Sequence, residues 1–368
     1  MRTGSGRSSR NIIDTMSYNI AVLSGDHIGP EVMAEARKVL DAAAASEGFV
    51  LNYTEALIGG AAIDATDGPL PEETLTLCKE SDAVLLGSVG GPEWDHLSPD
   101  QRPEVGGLLA ARKALELYAN LRPVKLYPEL AANCPLNFRG AEPKVDILTV
   151  RELTGGIYFG EPKSLTEEEG SDTMVYRKSE VERILKVGFD AATHRSRRVC
   201  SVDKSNVLRS SMLWRGIAKN MSEKYPEIEL THMYVDNVAM QLILNPGQFD
   251  VIVTGNLFGD ILSDESAALA GSLGLLPSAS LGSAVNLFEP SGGSAPDIAG
   301  KGIANPLAQI LSGAMMLEYS FGEFDAANRI YRAVEKAVAD GFRTGDIAAR
   351  GEKTVGTSEM GDAVASRL

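Results

Sequence analysis

Asp250-Val251-Ile252-Val253-Thr254-Gly255-Asn256-Leu257-Phe258-Gly259-Asp260-Ile261-Leu262-Ser263-Asp264 passes from a β-branched run into an apolar, helix-forming segment. The run reads as a buried strand. Two carboxylates four residues apart share one face of a helix, so Asp260 and Asp264 point the same way. A helix opening just past a strand end looks into the crevice where open α/β sheets bind ligands. Paired oxygen ligands with room beside them suit a hard divalent cation. Acids in a first helical turn also complement the helix dipole, and this stretch alone leaves both readings open.

Strand and helix signals alternate on either side of it. Tyr18 to Leu23, Phe49 to Glu55, Asp82 to Leu86, Val145 to Val150, Val199 to Val202 and Leu230 to Val235 read as strands. Pro30 suits a first helical position and opens a helix to about Ser46. Ser179 to Thr193 carries Val181, Ile184, Leu185 and Phe189 at helical spacing. Further helices are expected after Pro71, through Gln241, and over Pro306 to Tyr319 and Phe324 to Ala339. The pattern is α/β with a substantial parallel component. Leu153 to Val175, rich in Gly and Glu, has no helical period and reads as a projecting arm.

A chain of 368 residues exceeds what one core usually serves, so two domains are expected. Apolar and charged fractions of 44% and 23% are those of an ordinary globular protein. A net charge of −15 argues against a nucleic-acid partner and for a soluble, cytoplasmic protein. No apolar run is long enough for a membrane span or a secretory signal. Cys78, Cys134 and Cys200 are odd in number and far apart, which reads as buried, reduced thiols rather than disulfides or a zinc site. Residues 1–15, rich in Arg, Ser and Gly, read as a disordered extension.

The chain lacks a dinucleotide fingerprint where a Rossmann protein would carry one. The first strand is followed by Gly25-Asp26-His27-Ile28-Gly29-Pro30, which is not G-x-G-x-x-G. Two Gly-Pro loops remain, Gly87-Ser88-Val89-Gly90-Gly91-Pro92 and Gly292-Gly293-Ser294-Ala295-Pro296-Asp297, and loops of this kind are more often plain turns. Arg112, Arg122 and Arg151 each sit beside apolar sequence. One such arginine is usually a structural ion pair, but three on an acidic chain suit bidentate capture of a di- or tricarboxylate. Lys204 follows a strand, where a lysine is usually solvated but in a closed cleft serves as a base. Asp236 reads either as a helix N-cap or as a third metal carboxylate.

Several ordered motifs together decide between these readings. They include Gly59-Gly60-Ala61-Ala62-Ile63-Asp64, Val150-Arg151-Glu152-Leu153-Thr154-Gly155-Gly156-Ile157-Tyr158-Phe159-Gly160, Ser201-Val202-Asp203-Lys204, Gly271-Ser272-Leu273-Gly274-Leu275-Leu276-Pro277 and Ser294-Ala295-Pro296-Asp297-Ile298-Ala299-Gly300-Lys301. With the opening stretch, they resemble the isocitrate/isopropylmalate family of β-decarboxylating dehydrogenases from about Tyr18 to the C-terminus. The resemblance implies a two-domain, non-Rossmann α/β fold with a mixed sheet and flanking helices. An NAD-binding domain, 16–117 with 271–368, would carry both chain ends. The middle, 118–270, would hold the dimerisation, substrate and metal functions, with the arm near 153–175.

The resemblance also implies chemistry: NAD-dependent oxidative decarboxylation of 3-isopropylmalate to 4-methyl-2-oxopentanoate in leucine biosynthesis, by a homodimer with shared active sites. Tyr158 and Lys204 would be the catalytic acid and base. Arg112, Arg122, Arg151 and Asp236 would bind the substrate, with Leu108 and Leu109 against its isopropyl group. Asp236, Asp260 and Asp264 would hold magnesium or manganese. NAD would lie along Gly91, Pro92 and Glu104 and along Gly293, Ser294, Ala295, Asp297, Ile298 and Asn305. Isocitrate, tartrate or malate as substrate, or a non-catalytic regulatory subunit, are the alternatives within that family. Intact Lys204, Tyr158 and aspartates speak against the regulatory one. Ser24, His27 and Gly292 depart from the family pattern near the expected cofactor cleft.

Overall fold

The computed structural model describes residues 16–66, 68–136 and 144–368. The N-terminal extension expected at residues 1–15 lies outside the described residues. The strands are β1 (Ser17–Gly25), β2 (Val50–Glu55), β3 (Ala83–Ser88), β4 (Ala119–Lys125), β5 (Asp146–Glu152), β6 (Ser164–Leu165), β7 (Gly170–Ser171), β8 (Arg198–Asp203), β9 (Glu229–Tyr234), β10 (Val251–Thr254), β11 (Pro277–Leu281) and β12 (Leu287–Pro290). The first helices are α1 (Gly29–Glu47), α2 (Gly60–Ala65), α3 (Glu72–Glu80) and α4 (Ala110–Ala114). Then come α5 (Lys178–Thr193), α6 (Arg209–Ser222), α7 (Val235–Leu244) and α8 (Asn256–Ala267), and finally α9 (Leu307–Met316), α10 (Phe324–Ala339) and α11 (Thr357–Ala365).

Ten of the strands form a continuous mixed sheet in the order β2-β1-β3-β12-β11-β4-β5-β10-β8-β9. Neighbours are parallel at each flank and antiparallel at β12–β11, β11–β4 and β4–β5 in the middle. Every residue of β3 and β10 is buried, as strands covered on both faces require. One half of the sheet comes from residues 17–88 and 277–290, the other from 119–254.

Helices α1, α9, α10 and α11 and helices α5 and α6 contribute to one large core with the sheet. Helix α9 is buried at every residue, the signature of a helix apolar all round. It approaches α1 so closely that a Cβ on Gly313 would stand 2.8 Å from Leu40 Cδ1. The three cysteines are free and buried, as expected. No helix of the described residues is long and apolar enough to cross a membrane.

The structure adds local detail and overturns one reading. Strands β4, β11 and β12 were not legible as strands, because β4 is interrupted by Asn120, Arg122 and Pro123 and the other two are only five and four residues long. Within the expected arm, Ser164–Leu165 pairs antiparallel with Gly170–Ser171 as a small exposed hairpin. Asp236 is not an N-cap, since α7 starts at Val235 after Tyr234 and Asp236 lies within its first turn.

Candidate active site

Helix α8 opens directly after β10, with Gly255 between them, and its first amide, Asn256 N, donates to Tyr176 Oη at 2.7 Å. Asp260 and Asp264 are its fifth and ninth residues, beyond the first turn, so complementing the dipole does not account for them. Each meets an arginine. Arg151, on β5 and 6% exposed, donates from Nη1 to Asp260 and from Nε to Asn256 Oδ1 at 3.0 Å. Arg122, on β4, donates to Asp264 Oδ1 at 3.0 Å and Ser263 Oγ at 2.9 Å. Arg112, on α4, pairs with Glu289 of β12 at 2.6 Å, while its buried Nε has no partner among the described residues. Tyr158, in the turn after β5, donates to Asp260 Oδ2 at 2.9 Å.

The electrostatics of this cluster favour an anionic guest. Burial, opposed by Asp260 and reinforced by the positive charges of Arg122 and Arg112, leaves the Arg151 guanidinium lowered to about 10. The group stays charged at neutral pH, and a polyanion would relieve its crowding. Burial, and then the hydrogen bond to Asp260, raise the Tyr158 phenol above its ordinary value. Tyr158 therefore keeps its proton at neutral pH and is a donor.

A second group stands apart. Lys204 follows β8 and donates from Nζ to Asp236 Oδ1 at 2.5 Å. The Lys204 partner holds the Asp236 carboxyl below its ordinary value. Among the described residues no three His, Cys, Asp or Glu side chains converge on a metal-sized site, so Asp236 does not join Asp260 and Asp264 within one chain. Asp260 and Asp264 by themselves are two hard-oxygen donors, 36% and 77% exposed. Their chemistry and openness fit a divalent cation that keeps positions for other ligands.

The two Gly-Pro loops meet beside the first turn. Asp26, 3% exposed, accepts from Gly60 N, Ala61 N and Gly90 N at 2.7–2.9 Å. Ser294 Oγ donates to Gly90 O at 2.6 Å, and Ile28 N donates to Ser294 O at 3.1 Å. The Ser294 hydroxyl is thus a tether between loops. Open space surrounds the Cα of Gly293, Gly300 and Gly302, and Asp297 is exposed. Asn305 is engaged internally, donating to Asp346 and accepting from Leu307 N. His27 Nε2 faces the Gly91 to Glu93 turn and lies 3.4 Å from Glu93 Oε2. Open glycines and the exposed Asp297 beside this junction leave room for an elongated polar cofactor.

Residues 19–364 match the family model described as isocitrate/isopropylmalate dehydrogenase. The chain belongs to this family. It is 59% identical over 349 residues to a 3-isopropylmalate dehydrogenase of Thermotoga maritima, covering 95% of this chain and 98% of that one. A 3-isopropylmalate dehydrogenase of Mannheimia succiniciproducens is 56% identical over 358 residues, covering 96% and 99%. Among solved structures, an isocitrate dehydrogenase from Methylococcus capsulatus superposes with a TM-score of 0.80 at 37% identity, over 95% of this chain and 99% of that one. As a member of the isocitrate/isopropylmalate dehydrogenase family, the chain is an oxidoreductase with the expected α/β fold.

Several residues that hold this dehydrogenase site together escaped the sequence. Asn256 is 1% exposed, and its Nδ2 donates to Leu153 O at 3.0 Å and Gly155 O at 3.3 Å, tying Arg151 to the turn that carries Tyr158. Glu152, fully buried, accepts from Thr154 N and Gly155 N at the base of that turn. Glu289 neutralises Arg112 across 177 positions of sequence. The signal for each was a polar residue inside an otherwise apolar run, which marks a partner without saying which.

Proposed function

We propose that this family member oxidises 3-isopropylmalate at its 2-hydroxyl with NAD and releases the 3-carboxylate as carbon dioxide. The product would be 4-methyl-2-oxopentanoate, a precursor of leucine. The observation that carries the substrate assignment is the short stretch that leads into α4. Leu108 and Leu109, the latter 49% exposed, lie four and three residues before Arg112. Leu108 packs at the edge of the neighbouring apolar core and Leu109 stays open on the segment that leads into Arg112, which suits a branched aliphatic group next to a carboxylate. The names of the relatives at 56–59% identity support the same substrate.

The residues divide the work. Arg112, Arg122 and Arg151 bind the carboxylates. Asp260, Asp264 and Asp236 would hold magnesium or manganese, which supplies Lewis-acid stabilisation of negative charge on the substrate oxygens. NAD would lie along Gly91, Pro92 and Glu104 and along Gly293 to Asn305, with Asp297 on the adenosine ribose, and it supplies the hydride acceptor. Lys204 takes the hydroxyl proton as C2 is oxidised. The β-keto acid then loses its 3-carboxylate, and Tyr158 gives its proton to C3. The segments 16–117 with 271–368 and 118–270 would act as the cofactor domain and the substrate domain.

Lys204 and Asp236 stand apart from the arginine cluster within one chain. We read the two groups as halves of a site completed across a C2 homodimer. Exposed Met240, Ile243 and Leu244 on α7 and Ile261 on α8 support this, since the helices that carry the aspartates also present an uncovered apolar face.

The test is NADH formation with 3-isopropylmalate, isocitrate, tartrate and malate in parallel, with and without magnesium. Burying an isopropyl group on Leu108 and Leu109 favours it by about 2 kcal/mol, and a carboxymethyl group there loses hydration without a partner. Isocitrate turning over as well as 3-isopropylmalate would overturn the assignment.

A further inference from the structure

Asp203 ends β8 immediately before Lys204 and is 1% exposed. Its carboxylate is claimed from two sides. Arg215, on α6, donates from Nε to Oδ2 at 2.8 Å and from Nη2 to Oδ1 at 3.1 Å. Ser205 N donates to Oδ1 at 2.8 Å. The same guanidinium lies over the Tyr234 ring at 5.0 Å, and the Lys204 ammonium lies over that ring at 5.9 Å. The Lys204 backbone is held as well: its N–H donates to Ser211 Oγ at 3.1 Å, and its carbonyl accepts from Val207 N and Leu208 N. Two cations, two carboxylates and one ring thus form a single unit. Arg215 takes Asp203 through a fork that matches a carboxylate, and Lys204 is left for Asp236 at the rim.

We propose that Arg215 is a positioning residue for Lys204. It touches no substrate. It saturates the buried Asp203 carboxylate and braces Tyr234, and so fixes the strand end, the 203–208 turn and the direction of the lysine side chain. A lysine at 215 keeps the charge but cannot make the two parallel bonds. This inference rests on the reading of Lys204 as the base and of the site as shared between subunits.

The test uses the full-length dimer with Arg215→Lys and Arg215→Met. Displacing a reacting group by about 1 Å costs on the order of a hundredfold in rate. The expected result is a loss of kcat of about that size for Arg215→Met and a smaller loss for Arg215→Lys. The KM for the hydroxy acid should stay within about twofold in both, because the arginines that bind it are untouched. Subunit exchange adds a readout that general destabilisation would not produce. Arg215→Met mixed with Tyr158→Phe should regain about a quarter of wild-type activity, since half the dimers at statistical pairing carry one intact site. Mixed with Lys204→Ala it should regain nothing, because both defects fall in the same half-site. If Arg215→Met does not fold, Arg215→Lys enters the same crosses.

Wild-type kcat in a folded Arg215→Lys variant, or recovery in the cross with Lys204→Ala, would overturn the proposal. The control cross of Lys204→Ala with Tyr158→Phe should also regain about a quarter of wild-type activity. Failure there would remove the shared-site reading, and the kcat loss at constant KM in Arg215→Lys would still decide the role of Arg215.

Discussion

Gly259 is the point on α8 where one added methyl group should reach substrate binding without touching a charged group. A Cβ there would stand 2.8 Å from both Cβ and Cγ of Arg151 and 3.2 Å from Thr254 Cγ2. Carbon atoms rest at about 3.5 Å or more, so Gly259→Ala requires a separation of about 0.7 Å between helix and strand. The crowded atoms lie at the root of the arginine side chain and cannot swing aside. Stretched by that amount, the 3.0 Å bond from Arg151 Nε to Asn256 Oδ1 would reach about 3.7 Å, beyond hydrogen-bonding range. A hydrogen bond to a charged group is worth about 1.5–3 kcal/mol. At about 1.4 kcal/mol per factor of ten, the KM for the hydroxy acid should rise roughly ten- to hundredfold. The KM for NAD should not change. Stability should fall as well, since about 1–3 kcal/mol of overpacking and the lost hydrogen bond outweigh about 0.5–1 kcal/mol gained on replacing a helical glycine. Initial-rate kinetics with each substrate varied in turn, beside a thermal melt, measure both effects. A folded Gly259→Ala enzyme with an unchanged hydroxy-acid KM would refute the role given to Arg151.

Three further outcomes are expected. Asp260→Asn should cost several kcal/mol of transition-state stabilisation, and undiminished turnover of that variant in the presence of a chelator would end the metal assignment. NAD should be preferred over NADP by roughly a hundredfold in kcat/KM, because the exposed Asp297 would meet a phosphate dianion at close range; equal efficiencies would sink the role of Asp297. Burial raises the Glu318 carboxyl above its ordinary 4.5, only partly offset by the hydrogen bond from Tyr331. The folded state therefore binds this proton more tightly than the unfolded chain, and stability falls as pH rises from about 4.5 through the raised folded value. Glu318→Gln should raise the melting temperature at pH 8 but not at pH 4, and an equal shift at both would show that Glu318 is ionised without penalty.

The sequence by itself determined what is local. The Asp250 to Asp264 stretch specified strand, turn and helix, because β-branching, glycine and helical spacing act within a few residues. The same spacing put Asp260 and Asp264 on one face. The ordered motifs assigned the family. Which charge meets which was decided only by the tertiary structure. Arg112, Arg122 and Arg151 come from a helix and two antiparallel strands, and they converge because β4 lies between β11 and β5 in the sheet. Glu289 reaches Arg112, and Asn256 reaches Arg151, over separations of 177 and 105 residues, which no periodicity encodes. Lys204 and Asp236, both legible as candidates, prove to be partners of each other because β8 and β9 are neighbours, with Asp203 opposite Tyr234. Local spacing dictates which face a side chain takes. The charge across from it depends on sheet order, and sheet order is settled by the burial of whole strands.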